Sequence, residues 1–234
     1  MKKLKSLAEV FVGRVIISLA WLYAWWVFRV INHIKIIGKN NISHQSNVLY
    51  VVNHQTLIDS FLVGLGVFSF WDIFFHPSRI PWNAPDGNNF FKKRLFRFVF
   101  KFLNNIPITR DSNDGKALLE QQEILKNKLK QAKLVLFFEG TRTRDGSIGD
   151  CRGGVADLIW ENNPLVIPIS LENIQPIMPI ELGFHFFKVR RGFAGSMTIG
   201  KPISFNGTLD KPKNSKTKKE IGEIVRQAVI ELQH

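Results

Sequence analysis

Short apolar runs alternate with longer amphipathic ones along most of the chain. Short runs rich in Val, Ile and Phe are typical of buried strands, and apolar residues recurring every three or four positions are typical of helices. We predict strands at residues 34–37, 48–52, 73–75, 106–109, 133–138, 165–171 and 196–199. We predict helices at residues 58–68, 89–103, 114–132, 153–160 and 216–232. This alternation predicts an α/β domain with a central mixed, mostly parallel sheet flanked by helices.

A histidine and an aspartate five positions apart follow the predicted strand 48–52. His54 falls in the loop after the strand, and Asp59 falls in the first turn of the predicted helix, close enough to meet it. A carboxylate that orients a histidine makes a general base. Thr56 is the expected N-cap of that helix, with Asp59 as its capping-box partner. A plain helix start with a structural histidine is the alternative interpretation of this segment.

A second polar loop, Glu139-Gly140-Thr141-Arg142, follows the predicted strand 133–138. Open α/β sheets place ligand sites at the carboxyl ends of their strands. We therefore expect this loop and the histidine loop to form one site. The pairing of the two loops favours catalysis over a helix start alone.

The N-terminal 33 residues read as a membrane-associating helix, followed by one folded domain at residues 34–234. Residues 15–28 are almost wholly apolar, rich in Trp, and bracketed by Arg14 and Arg29. Fourteen helical residues reach only ~21 Å, short of the ~30 Å hydrocarbon core. Positive charge at both ends selects no crossing direction. We expect a helix in the interface, on the cytoplasmic face of the inner or plasma membrane, with a tilted span as the alternative.

Composition favours an anionic membrane surface as a partner. The 234 residues carry a formal net charge of +13, 45% hydrophobic residues, 20 Phe and 6 Trp. Nucleic acid would also attract this charge, but no zinc-finger spacing, aromatic RNA-binding motif or basic leucine-zipper region is present. The single cysteine, Cys151, excludes an internal disulfide, and no Cys/His cluster has the spacing of a zinc site.

Residues 90–102 interleave basic and aromatic side chains without an acidic residue. This pattern predicts a basic amphipathic surface against anionic lipid. The same surface could receive an acidic acyl carrier protein, and the sequence does not separate these two partners.

Four sequence blocks together resemble the glycerolipid acyltransferases typified by 1-acylglycerol-3-phosphate acyltransferase. The first two blocks are Asn53-His54 with Asp59, and Ile106-Pro107 with Arg110. The third and fourth are residues 137–143 and residues 165–169 around Pro168. Phe138 and Thr143 stand where the family has proline and serine, and neither change removes a charged or proton-transferring group. Residues 82–85 and 89–91 are also similar to the tafazzin branch, which moves acyl chains between phospholipids.

The resemblance implies transfer of a fatty acyl chain from an acyl thioester to the free hydroxyl of a lysophospholipid, most simply 1-acylglycerol-3-phosphate. His54 and Asp59 would be catalytic. Arg142 and Arg110 would bind the acceptor phosphate, while Glu139, Gly140 and Thr141 would position Arg142 or the acceptor. The thioester, of coenzyme A or acyl carrier protein, would be a substrate, and no metal or other cofactor is implied.

Two alternatives stay open at this stage. One is another acyl transfer on the same scaffold, either transacylation between phospholipids or acylation of a different lysolipid. The other is a non-catalytic protein that binds acidic lipid through its N-terminal helix and its basic aromatic segment. This second alternative explains the charge and apolarity but not the two polar loops.

Overall fold

A six-stranded sheet with helices on both faces forms the centre of the molecule. The computed structural model describes residues 6–85, 94–108, 115–179, 181 and 188–233. The strands are β1 (His33–Ile37), β2 (Val48–Val52), β3 (Trp82–Asn83), β4 (Lys133–Phe137), β5 (Leu165–Glu172) and β6 (Ala194–Ile199). The helices are α1 (Leu7–Trp25), α2 (Asp59–Val67), α3 (Asp72–Phe75), α4 (Arg94–Phe102), α5 (Gly115–Gln131), α6 (Gly153–Asn162) and α7 (Ser215–Ile230).

The sheet is mixed and mostly parallel, which confirms the predicted fold class. Its strand order is β1-β6-β5-β2-β4-β3, and only the pairing of β5 with β6 is antiparallel. β2 lies between β4 and β5 and runs parallel to both. All five residues of β2 are buried, as expected for a strand covered on both faces. The carboxyl ends of β2, β4 and β5 therefore meet at one edge of the sheet.

The core has one apolar layer on each face of the sheet. Val48, Tyr50 and Val52 pack with α1 and α2 on one face, while Leu49 and Val51 pack with α5, α6 and α7 on the other. This division follows from the two-residue repeat of a strand, which sends successive side chains to opposite faces.

The N-terminal helix is longer than the sequence pattern indicated. α1 begins at a capping box formed by Ser6 and Glu9, and a π-helical turn (Trp26–Val30) continues it. The helical segment Leu7–Val30 has 24 residues and is apolar and long enough to cross a membrane by length and composition. The count of fourteen residues, and the argument from length that rested on it, were therefore wrong.

Two predicted strands are absent from the described residues. Residues 73–75 lie in α3, where the side chain and main chain of Ser69 bond the Asp72 carboxylate and start a helical turn. Residues 106–108 form no strand, and residue 109 lies outside the described residues. The short β3, which pairs with β4, was not predicted.

Candidate active site

His54 and Asp59 meet directly beyond the end of β2. The two atoms Nδ1 of His54 and Oδ2 of Asp59 lie 3.0 Å apart. Asp59 is the first residue of α2 and is completely buried, while His54 retains 8% of its exposure. The predicted juxtaposition of this pair is therefore present in the structure. Because the carboxylate accepts the proton on Nδ1, it makes Nε2 the basic nitrogen of the neutral ring.

The Asp59 carboxylate also holds the loop that carries His54. Its Oδ2 accepts the main-chain N–H groups of Gln55 at 2.6 Å and Thr56 at 2.9 Å. Its Oδ1 accepts the Thr56 hydroxyl at 2.5 Å. A charged acceptor with several donors is held more strongly than a neutral one. The shape of this loop and the orientation of the His54 ring therefore both depend on the Asp59 side chain.

The prediction that Thr56 is the N-cap of α2 was wrong. The helix begins at Asp59, and Ile58 occupies the N-cap position without a side-chain cap. The Thr56 hydroxyl donates to Asp59 and accepts the Ile58 N–H at 3.1 Å, so it serves the loop ahead of the helix. Asp59 instead places negative charge at the helix N-terminus, where the helix dipole favours it.

The side chains on both sides of His54 tie its loop to the end of β5. The Asn53 amide exchanges two hydrogen bonds with the Leu171 main chain, at 2.7 and 2.9 Å. The buried Gln55 amide donates to the Leu171 carbonyl at 2.8 Å and accepts the N–H groups of Ile174 and Gln175 at 3.0 and 3.2 Å. Gln55 was not predicted as part of the site, although a long amide side chain directly after His54 was an available signal in the sequence.

Glu139 lies beneath the histidine loop and is only 6% exposed. Its Oε1 accepts the His54 main-chain N–H at 3.3 Å. Burial raises the pKa of Glu139 to about 7, although hydrogen bonds from the His54 and Gly149 amides oppose the shift and the nearby Asp59 charge adds to it. The carboxyl group therefore binds main-chain amides of the site.

The loop after Glu139 folds back onto His54. Gly140 has a φ of +70°, and a Cβ there would lie 3.0 Å from the Arg152 side chain, so glycine fits this turn best. The Thr143 N–H donates to the His54 carbonyl at 2.9 Å. His54 is thus bonded at its N–H by Glu139 and at its carbonyl by Thr143. Its ring stacks on Phe137 with the centroids 4.1 Å apart.

The remaining predicted residues differ in where they lie. Thr141 is exposed and Arg142 is half-buried, both in the loop between Glu139 and Thr143. The structure therefore brings Arg142 into the loop that contacts His54. Arg110 lies outside the described residues. Within the described ranges no group of three His, Cys, Asp or Glu side chains could hold a metal ion.

Cys151 is poorly suited to act as a nucleophile. Burial raises the pKa of its thiol to about 12, and the thiolate is the reactive form of cysteine. Its side chain packs against Gly222 of α7. We assign it a packing role.

These features define an α/β protein with a carboxylate-oriented histidine at the carboxyl end of its central strand. The acyltransferase family model matches residues 33–172, which include both loops of the site. The chain belongs to this acyltransferase family.

A comparison with solved structures supports the α/β fold described above. The chain is similar to the 1-acyl-sn-glycerophosphate acyltransferase PlsC from Thermotoga maritima, with a TM-score of 0.63 and 21% identity. The match covers 97% of this chain and 82% of that chain. A search of curated proteins found no match.

Proposed function

We propose that this protein transfers a fatty acyl chain from an acyl thioester to the free hydroxyl of a lysophospholipid, with 1-acylglycerol-3-phosphate as the preferred acceptor. The observation that carries the proposal is the 3.0 Å contact between His54 Nδ1 and a fully buried Asp59. Membership of the acyltransferase family supports the reaction class. The acceptor and the donor are part of the proposal.

In the proposed reaction, Nε2 of neutral His54 removes the proton of the acceptor hydroxyl as its oxygen attacks the thioester carbonyl. The carbon–oxygen bond forms, the carbon–sulfur bond then breaks, and the imidazolium returns the proton to the departing thiolate. Asp59 stabilises the imidazolium and keeps the ring in one tautomer. The products are the diacyl lipid and a free thiol. The attack is direct, so no covalent acyl-enzyme is needed.

The loop after β4 would bind the phosphate-bearing acceptor. Arginine suits a phosphate because its planar guanidinium can bind two oxygens at once. We assign this role to Arg142 of this loop, with Gly140 and Thr141 offering main-chain and hydroxyl contacts. Arg110, of the earlier Ile106-Pro107 sequence block, is proposed as a second phosphate ligand. For Glu139, the observed bond to the His54 N–H supports a role in holding the base in place.

A small, partly apolar pocket of about 70 Å³ would accept part of the acyl chain. It lies between α1 and α2, and Ser60 and Phe61, which follow Asp59 directly, line it. Its apolar walls also include Ile17 and Trp21 of α1 and Leu103 beyond α4, and the side chains of Asn83 and Asn105 add polar surface. His54 and Asp59 do not line this pocket, but an acyl chain held there would lie along α2, whose first residue is Asp59.

We further propose that α1 lies in the membrane interface and that the protein acts on the cytoplasmic face. Its buried side, including Gly13 and Ala24, packs on the folded domain. Its opposite side exposes a stripe of apolar residues at helical spacing: Leu7, Phe11, Val15, Leu19, Leu22 and Trp26. A helix with one side packed on the domain and an apolar outer stripe suits a position parallel to the membrane.

An acceptor panel tests the proposed activity. Purified protein would receive acyl-coenzyme A or acyl carrier protein thioester with 1-acylglycerol-3-phosphate, an uncharged monoacylglycerol or another lysophospholipid, and thiol release would be recorded. We expect release that depends on the phosphate-bearing acceptor and is lost in His54→Ala. Acyl exchange only with intact phospholipid donors would favour a transacylase. Vesicle binding without any acyl transfer would favour a lipid-binding protein.

A further inference from the structure

A turn beside α1 exposes three large aromatic side chains. Trp71 is 66% exposed, Phe75 is 69% exposed and Phe74 is 38% exposed. These side chains belong to the short segment 69–76, which contains α3. Three neighbouring exposed aromatic rings form an apolar patch of the kind that marks an interaction surface.

The segment 69–76 is held in place by a satisfied polar network. The Asp72 carboxylate is 5% exposed and accepts the N–H and hydroxyl of Ser69 at 2.8 and 2.7 Å. It also accepts Nη1 of Arg79 at 2.8 Å. Ile73, between the exposed rings, is buried. The turn is therefore anchored to the domain on its inner side, while its aromatic rings are exposed on its outer side.

This aromatic turn adjoins the exposed stripe of α1. The ring of Phe70 meets Trp21 edge to face at 5.6 Å, and Trp21 Nε1 donates to the Phe68 carbonyl at 3.2 Å. Trp25, one helical turn from Trp21, is 46% exposed, as is Leu22, the residue after Trp21. The aromatic turn thus widens the apolar stripe along the flank of α1.

We infer that Trp71 and Phe75 insert into the lipid bilayer as a second membrane contact, beside α1. The inference deepens the proposed membrane association and rests on it. Three observations favour a bilayer over a protein partner: the surface is continuous with the α1 stripe, it is rich in Trp and Phe, and the chain carries a net charge of +13. Aromatic side chains favour the depth of the lipid headgroups, and an anionic bilayer complements the charge.

Two contacts on different elements would also fix the orientation of the enzyme. A helix alone can roll about its axis in the interface, whereas a helix with a flanking aromatic turn resists this rotation. The pocket between α1 and α2 would then keep a constant relation to the membrane that supplies the acceptor.

The first test compares two pairs of exposed apolar residues. The Trp71→Ser/Phe75→Ser variant would be measured against Leu119→Ser/Ile124→Ser, in which Leu119 and Ile124 of α5 are 73% and 53% exposed. Binding to equimolar phosphatidylglycerol and phosphatidylcholine vesicles would be measured by sedimentation. We expect the first variant to bind at least about tenfold more weakly, because each ring buries a large apolar area, and the control to match the parent protein. Equal binding by the two variants would overturn the inference.

A second test reports insertion directly and does not depend on a loss. In a Cys151→Ser background, Trp71→Cys would carry an environment-sensitive fluorophore, and Leu119→Cys would serve as the control. We expect a blue shift on vesicle addition for position 71 and none for position 119. An unshifted emission at position 71, while the protein sediments with vesicles, would contradict the inference. That result would favour a protein partner for this turn.

Thiol release in detergent-dispersed substrate separates this inference from the proposed function. We expect the Trp71→Ser/Phe75→Ser variant to keep its activity there, because neither side chain lines the pocket. If position 71 inserts into vesicles but the parent protein transfers no acyl chain, the proposed function is refuted and the membrane contact is supported.

Discussion

Replacing Asp59 with asparagine separates the charge of this residue from its structural role. Asn is nearly isosteric, and its carbonyl oxygen can take the place of Oδ2, which accepts from His54, Gln55 and Thr56. The amide nitrogen then faces the Thr56 hydroxyl, which can rotate to accept. We therefore expect a folded variant whose free energy of unfolding changes by less than about 2 kcal/mol.

The loss in catalysis should be much larger than the loss in stability. His54 gains a proton in the proposed transition state, and its Nδ1 is 3.0 Å from the Asp59 oxygen. For unit charges centred about 4 Å apart, an effective dielectric constant of ~20 gives about 4 kcal/mol of attraction. Removing that attraction should lower kcat by about a thousandfold. KM for the acceptor should change little, because Asp59 is buried behind the base.

Steady-state thiol release with detergent-dispersed substrate would measure this effect, with thermal unfolding recorded in parallel. Asp157→Asn is the matched control, since Asp157 pairs with Lys213 and Lys218 on the opposite side of the sheet. It should keep the parent kcat. An Asp59→Asn enzyme with kcat within threefold of the parent value would refute the role of Asp59 charge.

Three further predictions concern the residues around the base. Glu139→Gln should remove a pH dependence of the free energy of unfolding. Burial raises the pKa of Glu139 from 4.5 to about 7, so between these pH values the native state keeps a proton that the unfolded chain loses. The free energy of unfolding of the parent, relative to that of the variant, should fall by about 3 kcal/mol as pH rises from 4.5 to 7. If denaturant titrations show that this difference does not change with pH, the prediction is contradicted. Gln55→Ala should cost about 2–3 kcal/mol of stability in the same titrations, because the buried N–H of Ile174 and the half-buried N–H of Gln175 lose their acceptor; an unchanged midpoint would show that the amide does not hold these groups. Arg142→Ala should raise KM for 1-acylglycerol-3-phosphate about tenfold or more, but not for monoacylglycerol, whereas equal losses would exclude phosphate binding.

The sequence was most informative where a residue type and its position both carry chemistry. The buried run 48–52 predicted the central strand, and the loops after it and after 133–138 were expected at one sheet edge, where His54 and Glu139 now lie in contact. Parallel strands end at a common edge, so this juxtaposition follows from topology once the strands are known.

Local capping and long-range partners were not predictable in the same way. Thr56 has the spacing of an N-cap, but its hydroxyl bonds Asp59 inside the loop, and the helix starts three residues later. Residues 73–75 have the apolar character of a strand, yet Ser69 donates two hydrogen bonds to Asp72 at the start of a helical turn there. Gln55 bonds residues more than a hundred positions away, and no local pattern encodes such partners.

The length of α1 shows that a count of consecutive apolar residues underestimates how far a helix extends. Arg14 and Arg29 bracket the apolar run counted from the sequence, but the helical segment runs from Leu7 to Val30 and begins at the capping box of Ser6 and Glu9, well before Arg14. Its buried side then contacts the domain, which a count of apolar residues does not reveal.

Product formation by His54→Ala tests whether this imidazole is the base for acyl transfer. Labelled acyl thioester and 1-acylglycerol-3-phosphate would be incubated with parent or variant protein, and the labelled diacyl phospholipid would be separated and counted. We expect labelled product with the parent and no product above background with the variant, while both bind vesicles and unfold at similar temperatures. Parent-level labelling in the variant would show that this imidazole is not the base.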